Sequence, residues 1–127
     1  MTYRLHHLHL LCSDLEKTIA FLTETLDAVL VERKKFGGVA GASLNLNGTI
    51  INLRIAREDD KVSTGAATTQ YGYHHIGLTV DNIDEAYREL SGKGYVFTGP
   101  PIQAGTNRIA FFKGPDNITI ELLQPLA

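Results

Sequence analysis

Tyr73-His74-His75-Ile76-Gly77-Leu78-Thr79-Val80-Asp81-Asn82-Ile83-Asp84-Glu85 reads as a short strand running into a helix start. A nearly parallel stretch stands close to the N-terminus: Leu5-His6-His7-Leu8-His9-Leu10-Leu11-Cys12-Ser13-Asp14-Leu15-Glu16. Placing His7 on His75, an offset of 68 residues, sets His6 on His74, Leu10 on Leu78, Asp14 on Asn82 and Leu15 on Ile83. A second echo follows in the same order. Gly48-Thr49-Ile50-Ile51-Asn52-Leu53 matches Asn117-Ile118-Thr119-Ile120-Glu121-Leu122 at an offset of 69 residues. Two echoes in one order at almost one spacing point to a duplicated unit.

Working outward, Arg4 to Cys12 alternates as a strand, which sets His7, His9 and Leu11 on one face and turns His6 away. Ser13 or Asp14 caps a helix whose apolar stripe is Leu15, Ile19, Leu22 and Leu26; Ser13 with Glu16 makes a capping box, while the repeat favours Asp14. Ala28–Phe36, Val39–Leu46 and Thr49–Ala56 read as strands, parted by Gly37-Gly38 and by the two-residue hairpin signal Asn47-Gly48. Residues 57–72 change character, charged first and then small and polar, and form a linker with room to fold over a site. The second half repeats the order. Tyr73–Val80 is a strand, turning His74 away from His75. Asn82–Gly92 is a helix, with Asn82 and Glu85 as a capping pair. Tyr95–Thr98 is a short strand ended by Gly99-Pro100-Pro101, and Arg108–Lys113 with Ile118–Gln124 closes a hairpin around Gly114-Pro115-Asp116-Asn117. The expected fold is α+β: one domain over residues 1–127 made of two βαβββ repeats, about 1–56 and 73–127, whose curved mixed sheets enclose a cavity.

With 127 residues, 43% hydrophobic and 20% charged, the chain has the size and composition of one soluble globular domain. A formal net charge of −2 gives no basic footprint for nucleic acid. No apolar run nears the roughly 20 residues that span a bilayer. The one cysteine, Cys12, makes no internal disulfide and reads as a small buried hydrophobe. Met1 to His6 lacks a signal-peptide pattern, so a cytoplasmic location is expected.

If first and last strands are neighbours in each half, His7, His75, Asn52 and Glu121 can converge. Two imidazoles and a carboxylate suit a divalent first-row metal and leave positions open for a substrate that chelates through adjacent oxygens. The amide of Asn52 is a weaker ligand, able to coordinate or to hydrogen-bond the substrate. Glu121 lies in the apolar run Ile118–Leu123, where a lone inward carboxylate is costly unless a cation offsets it; alternation also leaves a solvent-facing Glu121 open.

Three stretches carry a family resemblance: Leu5 to Phe21, His74 to Val80, and Arg108 to Leu122. They resemble the vicinal oxygen chelate superfamily, which includes glyoxalase I, methylmalonyl-CoA epimerase, extradiol dioxygenases, and fosfomycin- and bleomycin-resistance proteins. The resemblance implies metal ligands at His7, His75 and Glu121. Asn52 stands where four-ligand members carry glutamate or glutamine, a departure from the pattern. It implies a divalent ion (Ni, Zn, Co, Mn or Fe), a small-molecule substrate and a homodimer. Bleomycin-resistance proteins lack these ligands, whereas this chain keeps three.

The function expected first is a metal-dependent glyoxalase-like lyase or isomerase. It would act on a small α-oxygenated carbonyl compound or thioester through a metal-stabilised enediolate, with Glu121 as proton acceptor and His9 in reserve. The third strand offers Ser43 and Asn45 but no carboxylate, which disfavours a two-base epimerase. The alternatives are an Fe(II) extradiol-type dioxygenase, towards which Asn52 leans, and a small-molecule binding or resistance protein without catalysis. Arg54, two residues after Asn52, and Arg108 are candidate substrate-binding cations, with solvent exposure or a hairpin role as their plainer readings. Tyr71 and Tyr73 flank the linker and could cap the site.

Overall fold

The computed structural model describes residues 1–63 and 71–126. The expectation that the linker folds over a site falls largely on residues 64–70, which lie outside the described ones. The chain divides into two compact units, Met1–Ser63 and Thr64–Ala127.

In the first unit, β1 (His7–Cys12) leads into α1 (Leu15–Ala20), which continues as a π-helical turn over Phe21–Thr25. Asp14 settles the capping question: its side chain accepts a hydrogen bond from the Lys17 N–H at 3.1 Å. The helix ends where Asp27 adopts φ 60° and the Ala28 N–H reaches back to the Leu22 carbonyl at 2.8 Å. Then β2 (Val29–Phe36), β3 (Val39–Leu46) and β4 (Thr49–Ile55) follow. The Asn47-Gly48 turn has positive φ at both residues, 47° and 103°, the geometry whose twist matches a two-residue hairpin. Asn45 steadies it by accepting from the Gly48 N–H at 2.6 Å.

The sheet order is β1-β4-β3-β2, with β1 parallel to β4 and the other pairs antiparallel. First and last strands are therefore neighbours. Leu44, Ala42, Ile51, Leu53 and Cys12 are buried on one face with Ile19 and Leu22 of the helical segment. The register puts His7, His9, Ile50, Asn52, Arg54, Ser43 and Gly41 on the other face.

The second unit repeats the scheme with β5 (Ile76–Thr79), α2 (Ile83–Gly92), β6 (Ile102–Ala104), β7 (Asn107–Lys113) and β8 (Thr119–Pro125) in the order β5-β8-β7-β6. Asn82 caps α2 by accepting from the Glu85 N–H at 3.1 Å. Ile83, Leu90, Ala110, Phe112, Ile120 and Leu122 form the core between helix and sheet. The expected strand over Tyr95–Thr98 is corrected: Phe97 makes only an isolated bridge to Phe112, and the second strand of this half is Ile102–Ala104. Pro100 and Pro101 carry no N–H to donate to a ladder, so continuous pairing resumes only after them. The first strands of both halves are also shorter than expected, since β1 begins at His7 and β5 at Ile76. His75 thus stands just before its strand.

Candidate metal centre on two equivalent sheet faces

The strand registers make the duplication concrete. Asn52 lies opposite His9, and Glu121 lies opposite Gly77. Asn52 and Glu121 therefore hold equivalent places on their last strands. His7 and His75 each stand two residues before the one facing them.

In the second unit this arrangement brings donors together. The His75 Nε2 atom lies 2.9 Å from Oε1 of Glu121. The side chains keep 31% and 15% of their exposure, so both are partly shielded and still open to a ligand. Phe111, the cross-strand partner of Glu121, meets the His75 ring edge-on at 5.4 Å between centroids. Gly77 faces Glu121 without a side chain, and a Cβ there would stand in ordinary contact with Oε1, at 3.7 Å.

The first unit sets His7, His9 and Asn52 on one face, with the His7 and His9 rings 6.3 Å apart. His9 meets the Phe36 ring at 4.7 Å, and Phe36 lies over Gly41, where an added Cβ would meet its Cδ2 at 2.5 Å. Burial first, then the positive charges of Arg54, His7 and Arg57, lowers the pKa of His9 from its ordinary value.

Arg54 shares the Asn52 face, but its guanidinium is engaged. It donates to Asp60 at 2.8 Å and to the Ile55 carbonyl at 3.1 Å. Asp60 also accepts from the Arg57 N–H, and the Arg57 side chain donates to the Phe36 and Gly37 carbonyls. These contacts fasten the segment after β4 to the β2–β3 turn. Arg108, the other candidate substrate-binding cation, is paired as well. It shares its sheet face with Ala110 and Phe112, opposite to Glu121, and donates to both carboxylate oxygens of Asp84 on α2, at 2.6 and 3.1 Å. A residue an odd number of places from Phe111 on the same strand projects from the other face. Tyr71 and Tyr73 are both exposed, 108% and 62%.

Another expectation fails at the doublets. His6 and His74 do not turn away from their neighbours: Nδ1 of His6 meets Nδ1 of His7 at 2.9 Å, and Nδ1 of His74 meets Nδ1 of His75 at 2.8 Å. The doubled His-His was the visible signal, but strand alternation argued against the contact. It does not apply, because each outer ring precedes its strand. Phe36 and Phe111 were likewise not singled out, since an aromatic residue in a strand gives no sign of which face it lines.

Among the described residues no group of three or more His, Cys, Asp and Glu side chains is placed to hold a cation. The structure thus joins two of the three expected ligands, His75 and Glu121. These two fit a divalent ion. Their facing atoms stand 2.9 Å apart, and both side chains are partly exposed. An imidazole and a carboxylate are also donors that first-row ions accept.

Residues 4–122 match the family model described as Glyoxalase/Bleomycin resistance protein/Dioxygenase superfamily. A lactoylglutathione lyase from Shigella flexneri is 33% identical over 129 residues, covering 95% of this chain and 92% of that protein. Among solved structures, a glyoxylase/bleomycin resistance protein/dioxygenase domain from Frankia sp. EAN1pec superposes with a TM-score of 0.80 at 25% identity, covering 98% of this chain and 99% of that one. The fosfomycin resistance protein FosX from Listeria monocytogenes, in a structure with Mn(II) and sulfate, superposes with a TM-score of 0.74; at 20% identity, over 98% and 93% of the two chains, that likeness concerns the fold. With the duplicated sheets, the matched registers and these relatives, the chain belongs to the glyoxalase/bleomycin resistance protein/dioxygenase superfamily.

Proposed function

We propose that this chain is a divalent-metal-dependent lyase or isomerase acting on a small α-oxygenated thioester or carbonyl compound. His75, Glu121 and His7 are the proposed metal ligands, His7 coming from the first half of this chain or of a second copy in a homodimer. The observation that carries this proposal is the His75–Glu121 pair at 2.9 Å on the helix-free face of its sheet, with His7 and Asn52 at the equivalent places of the other half. A bound cation supplies Lewis-acid polarisation of two neighbouring substrate oxygens.

The chain's own groups do the rest. Glu121 takes the proton from the carbon beside the carbonyl, a role its partly exposed carboxylate suits. Nε2 of His75 stands 2.9 Å from that carboxylate in the metal-free protein and would be the ligand beside it when a cation is bound. Phe111 shields the pair from water on one side. Asn52 offers an amide able to hydrogen-bond a substrate oxygen, and His9, on the same face, is the second proton acceptor. The relatives named lactoylglutathione lyase favour a hydroxy-acid thioester as the product class.

The test is to strip the protein with a chelator, reload it with Ni, Zn, Co, Mn or Fe in turn, and follow conversion of a hemithioacetal to its hydroxy-acid thioester. Metal-dependent turnover with solvent hydrogen appearing in the product is the expected result. Oxygen-dependent ring cleavage of a catechol with iron alone would replace this assignment by an extradiol-type dioxygenase. Ligand binding that survives His75→Ala, with no turnover under any metal, would replace it by a binding protein.

A further inference from the structure

We propose that His74 and His6 are positioning residues: each outer ring holds Nδ1 of the imidazole that follows it, so that the inner ring presents Nε2 to the metal. This inference rests on the metal-binding proposal above. The two doublets share one geometry although they belong to different units. Ring centroids are 5.1 Å apart in both, with interplanar angles of 88° and 81°. The Nδ1–Nδ1 distances, 2.9 and 2.8 Å, are those of hydrogen bonds. One contact of this kind is easily a chance of rotamers. The same contact at both copies of a duplicated motif is a designed feature of the unit.

Proton accounting then assigns roles in the second doublet. An Nδ1–Nδ1 hydrogen bond needs one ring with a proton on Nδ1 and one with a lone pair there. Glu121 as a carboxylate only accepts, so the His75 Nε2 facing it carries the proton. When His75 is neutral its ring has one proton, so it then accepts at Nδ1 and His74 donates. A cation taking the lone pair of His75 Nε2 reverses this. The single proton of that ring must then sit on Nδ1, and His74 must accept. The partner of His75 therefore has to donate in one state and accept in the other. An imidazole does both, and His74 is exposed, so water can serve its remaining nitrogen in either state. A fixed tautomer and ring orientation are what an outer partner gives a ligating histidine, and losing such a partner typically costs about 10- to 100-fold in metal affinity.

Two measurements test this, neither of them turnover. Long-range ¹H–¹⁵N spectra of the metal-free protein, at one fixed pH, should show opposite tautomers: the proton on Nε2 of His75 and on Nδ1 of His74. Competition with a chromophoric chelator for Zn should then give about 10- to 100-fold weaker binding in His74→Phe. His74→Asn, whose amide can donate or accept, should recover most of that loss. His6→Phe should weaken binding in the same direction. Circular dichroism of each variant checks that it folds, and the tautomer measurement on unsubstituted protein needs no variant. Matching tautomers in the two rings, or undiminished Zn affinity in His74→Phe, overturns this inference alone. Unsubstituted protein that binds no Zn, Ni, Mn, Co or Fe overturns the metal reading and this inference with it.

Discussion

Glu121→Gln should separate stability from activity, because the carboxylate stands where folding alone would not put one. It is 15% exposed and flanked on β8 by Ile120 and Leu122, both buried, with Phe111 opposite. Its hydrogen bond from His75 Nε2 is charge-assisted, worth about 1.5–3 kcal/mol, whereas an amide acceptor at the same place retains about 0.5–1.5 kcal/mol. The substitution therefore loses about 1–1.5 kcal/mol from that bond. Against this, a neutral amide is far less costly than a carboxylate to withhold from water. The two terms nearly offset, and metal-free Glu121→Gln should unfold in urea within about 1 kcal/mol of the unsubstituted protein. Turnover should fall by about 10²–10⁴-fold, the usual contribution of a positioned base, which is about 2.7–5.5 kcal/mol on the barrier. The assay pairs urea unfolding of the stripped protein with single-metal turnover and metal content. A loss of stability above about 2 kcal/mol, or turnover within threefold of the unsubstituted protein, would refute this reasoning.

Phe112→Ala should be the most damaging change in the second unit. Phe112 is 1% exposed and packs on Phe97 and Tyr95 at 5.0 and 5.5 Å. Urea unfolding should show a loss of about 3–5 kcal/mol, and a loss under 1 kcal/mol would mean that the ring is not part of the core. Gly41→Ala should cost about 1–3 kcal/mol, because the new methyl meets the Leu53 carbonyl and the Phe36 ring; the accompanying displacement of Phe36 should appear as a changed chemical shift of the His9 ring. Asp60 is held below the usual carboxylate range by hydrogen bonds from the Arg54 side chain and the Arg57 N–H. A depressed folded pKa means that its stabilisation is complete above the unfolded value of about 3.9 and is lost as pH falls through the lower folded value. Thermal unfolding should therefore lose this contribution below about pH 4, and Asp60→Asn should remove that part of the pH dependence. An unchanged acid limb in the variant would count against the pairing.

Much of the fold was legible because it is written in short-range patterns. The helix caps Asp14 and Asn82, the turn at Asn47-Gly48, and the hairpin strands β3, β4, β7 and β8 follow from φ preferences and alternation within a few residues. The second strand of the second half lies at Ile102–Ala104 and not at Tyr95–Thr98, whose composition is strand-like, because the prolines between them move the ladder. Which face Arg108 takes was not legible from the residue alone. Its strand parity puts it beside Asp84 of the helix.

By itself the sequence determined that a βαβββ unit occurs twice, that a histidine opens each copy, and that Asn52 and Glu121 close them at matching positions. Those facts depend on residue identity and on spacings within one strand or helix. Only the tertiary structure decided that His75 and Glu121, 46 positions apart, meet at 2.9 Å, that Arg54 is tied to Asp60, and that each doublet's outer ring bonds the inner one. Such meetings depend on the register between strands distant along the chain and on side-chain torsions at the points where strands begin. Neither is encoded in the local hydrophobic period.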